Sequence, residues 1–272
     1  MIEIRATGSD TVLLHSPADA LAGADLAGLS LPDANLAGAD LRGADLRGVD
    51  LCKARLVGAD LRQARLEGAD LSMADLTDAN LAGARLADAV LLSATLVRTR
   101  LSEAHALRAT FDGATFRDAV LDSGTFVRAD FTHATLTDCA CSGADFSAAT
   151  LSHSTWRRCT LAYATLASTV LDGTVLAETD LTHAELSRAI LAGTRLAGAD
   201  LSGATLGRTV FAACEDLARA HGLESVVHHA HSCLDLVTLR AGMDTLPAGF
   251  LEGAGVEREE LEALRGAMSG AR

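Results

Sequence analysis

The sequence predicts an all-β solenoid, a fold in which short strands stack in repeated coils. From Leu21 to Phe211 a bulky hydrophobic residue stands at every fifth position, with two exceptions and no slip of register. A small residue stands two positions before almost every one of them. A five-residue period fits neither the 3.6-residue helix nor the two-residue strand alternation. Such an array indicates a solenoid, because each coil can bury its apolar side only against its neighbours.

Each five-residue unit has two inward and three outward positions. We call the bulky residue the centre; the centre and the small residue two places before it point inward. Asp, Asn, Arg and Thr are common just before the centre, and Gly, Asp and Arg are common two places after it. Gly and Asp suit tight turns, so each unit predicts a short extended piece followed by a turn. Stacked units would pair their backbones at about 4.8 Å.

The repeated units resemble those of the pentapeptide-repeat family. Residues 39–43 and 44–48, both Ala-Asp-Leu-Arg-Gly, match the family pattern closely, and the resemblance covers residues 21–211. It implies a right-handed, four-sided β-helix with about 20 residues per coil. Residues twenty apart would then lie above one another. This stacking places Asp40 above Asp60 on one side, with Arg42 and Arg62 in the neighbouring column, and we take these four residues as a candidate interaction face.

Aromatic centres are confined to the middle of the array. Twenty-residue coils would stack Phe111 with Phe131 and Phe126 with Phe146, and would place Phe116 and Trp156 in one column with Leu136. Rings stacked in this way pack a core, so the pattern favours a structural role over a ligand site. The set comprises Phe111, Phe116, Phe126, Phe131, Phe146 and Trp156.

The repeat is irregular at two centres. Ala106 stands where a bulky centre is expected, with Leu107 beside it, and Cys141 is a smaller centre. We expect a local bulge or a shifted side chain at Ala106.

Both ends of an open β-helix need caps, since their edges would otherwise pair with other chains. Residues 1–20 predict a β-hairpin that covers the first coil. Residues 212–272 predict a mostly helical segment, with one helix over 214–221 that ends at Gly222 and an amphipathic one over 257–268. This segment resembles the one that joins repeats to a TIR signalling domain in some bacterial pentapeptide-repeat proteins. The family also uses C-terminal helices to pair two rods, so a homodimer through 212–272 and a plain monomeric cap both stay open.

Residues that could carry chemistry are few. Cys139 and Cys159 would be stacked neighbours within the Cα range of a disulfide, but packing in the small inward position is the favoured interpretation. His228, His229, His231 and Cys233 are zinc-type ligands whose spacing matches no structural site that we recognise. The aspartates recur at fixed spacing, as turn residues do, whereas an active site needs unlike residues that converge. We therefore expect no enzyme and no cofactor.

The net charge of the chain limits the kind of partner that it can bind. The chain carries a net charge of −13, which disfavours direct binding of nucleic acid but would allow competition for a basic surface that binds it. No basic region followed by an apolar run opens the chain, and no stretch has the length of a membrane span, so we expect a cytoplasmic protein. A non-enzymatic binding scaffold is the broadest prediction.

The resemblance also suggests two narrower functions. Some family members imitate duplex DNA and protect type II topoisomerases such as gyrase from poisons. The alternative is an interaction module in a bacterial signalling or defence assembly.

Overall fold

The chain forms a right-handed four-sided β-helix with a β cap at one end and a partly helical cap at the other. The computed structural model describes residues 2–9, 11–16, 20–257 and 259–263. Backbone bridges join residues twenty apart, from Asp25 with Asp45 to Glu185 with Thr205. The predicted coil length and fold class are therefore confirmed.

Hydrogen bonds between coils hold the stack together. The Leu41 N–H donates to the Asp60 carbonyl at 2.8 Å, and the Asp60 N–H donates to the Ala39 carbonyl at 2.9 Å. Within a coil, the Ala44 N–H closes a turn onto the Leu41 carbonyl at 3.0 Å. The same pattern recurs from unit to unit, so almost every backbone group of the repeat is paired, as burial requires.

Each corner of the coil needs a left-handed backbone two places after the centre. Gly48 has a φ of +61° there, and Asp88 and Arg108 adopt +60° and +57°. This conformation costs a non-glycine residue roughly 1–2 kcal/mol. The frequent glycine at this position of the repeat follows from that cost.

Regular strands form where neighbouring coils pair over two or three consecutive residues rather than through a single bridge. A threonine-rich parallel sheet of four strands lies on one side, with Thr95, Thr115, Thr135 and Thr155 in register. The strands are β1 (Ile2–Ala6), β2 (Val12–Ser16), β3 (Ala34–Asn35), β4 (Thr95–Val97), β5 (Thr115–Arg117), β6 (Thr135–Thr137), β7 (Thr155–Arg157), β8 (Ile190–Ala192), β9 (Thr205–Leu206), β10 (Val210–Ala212), β11 (Val227–His228) and β12 (Cys233–Leu234).

The predicted aromatic core is confirmed. The Phe111 and Phe131 rings stack at 4.7 Å, and the Phe126 and Phe146 rings stack at 5.1 Å. Trp156 is fully buried, and its indole N–H donates to the Ser154 hydroxyl at 2.8 Å. The serine in the small inward position thus supplies the partner that a buried indole needs.

The bulge expected at Ala106 is wrong. Ala106 is fully buried and in register, and its N–H donates to the Thr125 carbonyl at 2.7 Å. Leu107 keeps its outward position and is half-buried. The next centre in the same column is Phe126, whose extra volume offsets the small alanine, so the backbone has no reason to shift.

The N-terminal cap is the hairpin that the sequence predicts. β1 pairs antiparallel with β2 and also with β3 of the first coil. Ile4 is buried against the end of the core. The hairpin therefore covers the first open edge of the solenoid.

The C-terminal segment continues the coil beyond the five-residue period. β11 pairs parallel with β9 and β12 pairs parallel with β10. The helix expected over 214–221 is only a 3₁₀ turn, Leu217–Arg219, followed by another at Leu223–Ser225. The 3₁₀ turn at Leu217–Arg219 cannot extend into a longer helix, because the residues that follow it pair with the coil below. His221 bridges Asp200, and the Arg219 carbonyl accepts from the Gly198 N–H at 3.0 Å.

Two short α-helices then close the end of the core. They are α1 (Leu236–Gly242) and α2 (Ala248–Gly253). Asp235 caps α1 by accepting from the Thr238 N–H at 2.8 Å, and Phe250 of α2 packs edge-on against Phe211 at 6.1 Å. Residues 259–263 of the helix predicted over 257–268 are helical, and residues 258 and 264–268 lie outside the described residues. No helix in the described part of the chain is long and apolar enough to cross a membrane.

Replacing Phe131 by alanine should destabilise the fold strongly. Its ring lies within 6.0 Å of five other aromatic rings, and a buried Phe→Ala change costs about 3–5 kcal/mol. Denaturant unfolding measures the loss. Tyr163→Ala is the control, because this side chain is exposed and its removal should cost less than about 0.5 kcal/mol. Equal losses for the two variants would contradict the assigned core.

His228 should make the C-terminal cap sensitive to acid. Both ring nitrogens are buried with no hydrogen-bond partner among the described residues, and the ring packs on Phe250 at 5.5 Å. Burial, and then the nearby His231, lower the pKa of His228. The unfolded chain therefore binds this proton more readily than the folded chain, and stability should fall as the pH drops below about 6.5.

The measurement is the melting temperature at pH 7.5 and at pH 5. His228→Leu should reduce the difference between the two values relative to the wild type. His229 is exposed, so His229→Gln is the control and should leave the difference unchanged. A His228→Leu protein with the wild-type difference would contradict the prediction.

Candidate protein-interaction surface

The solenoid presents four flat faces, which we number by their buried centres. Face 1 has the centres from Leu21 in steps of twenty, face 2 those from Leu26, face 3 those from Leu31 and face 4 those from Leu36. Each face consists of the residue before and the two residues after each centre. Backbone pairing between coils runs along all four faces, so their surface chemistry is determined mainly by the outward residues.

The predicted candidate face lies on face 1, and its geometry is as expected. Asp40 stacks on Asp60, and the column continues to Asn80 and Arg100. Arg42 forms a two-pronged ion pair with Asp40 at 2.6–2.7 Å, and Arg62 pairs with Asp60 in the same way. These hydrogen bonds from Arg42 lower the pKa of Asp40 to about 2. The four residues are brought together, but they neutralise one another; their role in binding stays a prediction.

Arginine–carboxylate pairs also cover faces 2 and 4. On face 2 Arg47 pairs with Asp45 and Arg108 with Asp88. On face 4 Arg98 pairs with Asp78 and Arg158 with Asp138, both at 2.6–2.7 Å. Face 2 carries six acidic and seven basic residues and face 4 carries five and six, so neither has appreciable net charge.

Face 3 differs from the other three. It carries six aspartates and a single base, Lys53. Among the described residues, no arginine or lysine forms an ion pair with any of these carboxylates; the imidazole of His133 is the one basic side chain in contact, with its Nδ1 3.1 Å from the Asp112 carboxylate. The aspartates are Asp33, Asp50, Asp70, Asp112, Asp130 and Asp172. This acidic row went unnoticed in the sequence, although counting outward charges in steps of twenty would have revealed it.

Turn hydrogen bonds orient several carboxylates of face 3. The Asp50 carboxylate accepts from the Cys52 N–H at 3.0 Å and from the Ser30 hydroxyl at 3.1 Å. The Ser72 N–H donates to Asp70 at 2.8 Å. Because only part of each carboxylate is used in this way, oxygen lone pairs stay available to a partner.

The histidines and cysteines form no obvious reaction centre. His133 and His153 stack on face 3 at 5.7 Å, as their spacing predicts. Cys139 and Cys159 are buried free thiols in the inward column, and the contact with Cys139 together with burial raises the pKa of Cys159. In the part of the chain that the structure describes, no three His, Cys, Asp or Glu residues are placed to hold a metal ion.

An open groove of about 830 Å³ lies along the corner between faces 1 and 2. Ala87, Leu107 and Val127 form its apolar floor, with Arg85 and His105 at its rim. Arg85 is already paired with Glu67 at 2.8 Å. The groove is shallow and wide open, so it offers a surface for contact rather than an enclosed site for chemistry.

The repeats match known sequence families over most of their length. The family described as pentapeptide repeats (8 copies) matches residues 21–56, 44–83, 54–91, 69–105 and 169–208, and the one described as a pentapeptide repeat region matches 109–186. No curated protein sequence matches the chain.

Several solved structures are similar. HetL, a pentapeptide repeat protein involved in heterocyst differentiation regulation from the cyanobacterium Nostoc sp. strain PCC 7120, is 29% identical over 75% of this chain and 89% of its own, with a TM-score of 0.44. A trypsin-treated form of QnrB1, a plasmid-mediated fluoroquinolone resistance protein, is 18% identical over 73% and 96%, with a TM-score of 0.40. Because the family matches extend over more than half of its residues, this chain belongs to the pentapeptide-repeat family.

Proposed function

We propose that the protein is a non-enzymatic binding scaffold that offers face 3 to the DNA-binding surface of a type II topoisomerase such as gyrase. Binding there would regulate the enzyme or protect it from poisons. The observation that carries the proposal is the row of six aspartates without arginine partners. Face 1 carries as many acids, but three arginines stand among them, and on faces 2 and 4 the bases slightly outnumber the acids.

Rigidity supports recognition by this face. The carboxylates are attached to a backbone that is hydrogen-bonded from coil to coil, and turn N–H groups orient Asp50, Asp70 and Asp130. A partner therefore does not have to order them on binding, which is a principal cost of association. The coils rise by about 4.8 Å each, so the carboxylates follow one another along the face in three adjacent columns. Asp50, Asp70 and Asp130 stand before their centres, and Asp112, Asp172 and Asp33 stand after theirs.

The magnitude of the charge limits how complete the imitation of DNA can be. From Asp33 to Asp172 the row spans seven coils, or about 34 Å at 4.8 Å per coil. One strand of B-DNA carries about ten phosphates over that length. Six carboxylates thus supply somewhat more than half the charge of one strand, and face 3 would replace one edge of a duplex rather than the whole of it.

The choice of a topoisomerase among DNA-binding enzymes follows from family membership. The resemblance of the repeats to DNA-imitating pentapeptide-repeat proteins directs the proposal to this enzyme class. Face 3 adds the chemistry, since an acidic row fits a basic DNA-binding channel by charge.

The scaffold is further proposed to be a homodimer through residues 212–272. In the first turn of α1, Leu236 and Val237 are 53% and 45% exposed, although they follow directly on β12 at the end of face 3. Ile190 of β8 is also exposed at this end. Grouped exposed apolar residues mark interaction sites. A tail-to-tail pair would bury them and keep the acidic rows of the two copies apart.

Gyrase supercoiling, with and without a quinolone-type poison, tests the topoisomerase assignment. Wild-type protein at micromolar concentration should alter supercoiling or relieve the poison. The change Asp50→Asn, Asp70→Asn, Asp112→Asn and Asp130→Asn should weaken the effect about tenfold, because interfacial charges govern encounter and register. Asparagine keeps an oxygen to accept the turn hydrogen bonds, so the fold should persist.

The matched control removes the same charge from faces 2 and 4. It combines Asp78→Asn, Asp88→Asn, Asp138→Asn and Asp145→Asn and should retain the wild-type effect within about threefold. An inactive wild type would refute the gyrase assignment. Equal weakening of both variants would refute the assignment of face 3.

Light scattering tests the dimer. The wild type should scatter as a particle of twice the chain mass, and Leu236→Ser with Val237→Ser should return it to the mass of one chain, because the change removes apolar area from the proposed contact. Val227→Ser, also exposed but on face 2, is the control. A wild type that is already monomeric would contradict the prediction.

A further inference from the structure

An apolar patch interrupts the acidic row of face 3. The coil between Asp70 and Asp112 has no acidic residue on this face and places Val90, Leu92 and Ser93 there instead. Leu92 is 39% exposed, and Met73, one coil before it, is 52% exposed. The interval without acidic residues therefore coincides with two large solvent-exposed apolar side chains, Met73 and Leu92, in the middle of the face.

Backbone contacts fix the order of these residues along the rod. The Met73 N–H donates to the Leu92 carbonyl at 2.7 Å, so the two residues lie on adjacent coils. The Ser93 N–H donates to the Asp112 carbonyl at 2.9 Å, and Asp70 bridges Val90. Asp70 thus lies on the same coil as Met73, and Asp112 lies on the coil after Leu92, so an aspartate stands at each end of the patch.

Neither the fold nor solubility requires this arrangement. At the same position after the centre, the neighbouring coils of face 3 carry Ser72 and Asp112 where this coil carries Leu92, so a polar residue fits there. Two places after the centre, Lys53 and Ser93 flank Met73 in the same way. Exposed apolar side chains that are grouped between charges are typical of the centre of an interface with a polar rim.

We propose that Met73 and Leu92 form an apolar anchor point, which selects a basic protein surface that presents an apolar side chain between two groups of Lys or Arg. The inference rests on the proposed function, because it defines what the partner of face 3 must carry. Charge complementarity fixes the occupant, since the carboxylates on both sides of the patch need bases. A simple substitute for phosphates would need no such patch.

Varying the salt concentration separates the electrostatic component of binding from the apolar one. Attraction between the carboxylates and a basic partner weakens as ionic strength rises, whereas burial of Met73 and Leu92 does not depend on it. A partner that fills the patch should keep its preference over a polar analogue at high salt, although its overall affinity falls.

The test uses two synthetic peptides and the full chain. One peptide carries a leucine between two pairs of lysines, and its analogue has serine in place of the leucine. Titration calorimetry at 0.05 M and 0.3 M salt should show the leucine peptide binding about tenfold more tightly at both concentrations, as expected for burying roughly two exposed apolar side chains. Equal affinities for the two peptides would overturn the inference.

Variants of the protein locate the effect. Met73→Ser with Leu92→Ser should reduce the preference to about one. Tyr163→Ser with Val227→Ser removes two exposed side chains from faces 1 and 2 and should preserve it. A preference that survives the first change would place the anchor elsewhere and overturn the inference. So would light scattering that shows copies of the chain associating through Met73 and Leu92, since the occupant would then be a second copy.

The gyrase assay is independent of this result. A wild type that prefers the leucine peptide but leaves gyrase unaffected supports the anchor and refutes the topoisomerase. A wild type that acts on gyrase but binds both peptides equally refutes the anchor and leaves the topoisomerase assignment standing.

Discussion

Hydrogen bonding between residues about twenty apart is the constraint on which the rest of this structure depends. The Leu41 N–H reaches the Asp60 carbonyl, and the same bond recurs from coil to coil. Through residues 21–211 it keeps a constant spacing because every unit has five residues, so each side chain holds its place in the coil. The five-residue period thus determines which residues the backbone pairing stacks. The stacked phenylalanines and the aligned aspartates both follow from it.

The same constraint separates the core from the surface more completely than in most folds. Two positions in five are committed to the interior, and the outward three affect their neighbours mainly through weak exposed pairs. Arg42 with Asp40 is such a pair, and pairs of this kind contribute about 0–1 kcal/mol. The face residues are therefore less constrained than the core, although the left-handed corners and the turn hydrogen bonds onto residues such as Asp50 still act on them. These demands explain aspartates that accept turn hydrogen bonds, such as Asp50 and Asp70, but they do not explain why face 3 has a single base beside its six aspartates.

Wherever the five-residue period holds, the sequence was sufficient to predict which residues touch, because residues twenty apart lie on adjacent coils. The stacks of Phe111 on Phe131 and of Asp40 on Asp60 follow from counting alone. It was insufficient at Ala106, where a missing side chain suggested a backbone change that Phe126 makes unnecessary. It also failed after Phe211, since strand pairing persists through Val227 and Cys233 without the period. There the chain pairs with the edge of the last coil, and this tertiary contact leaves no periodic pattern in the sequence.

The candidate surface was partly missed for a different reason. The sequence draws attention to Asp40 and Asp60 because their units are the most regular, but regular units also place an arginine at pairing distance. Net charge that a partner can use lies instead where the units are less regular, on face 3 with Cys52, Met73 and Leu92 among its aspartates. Charge that served solubility alone could be spread over all four faces. The excess of acid is instead greatest on face 3, with six acids to one base, against six to three on face 1. This uneven distribution, with an apolar interval inside it, favours a surface shaped by a partner.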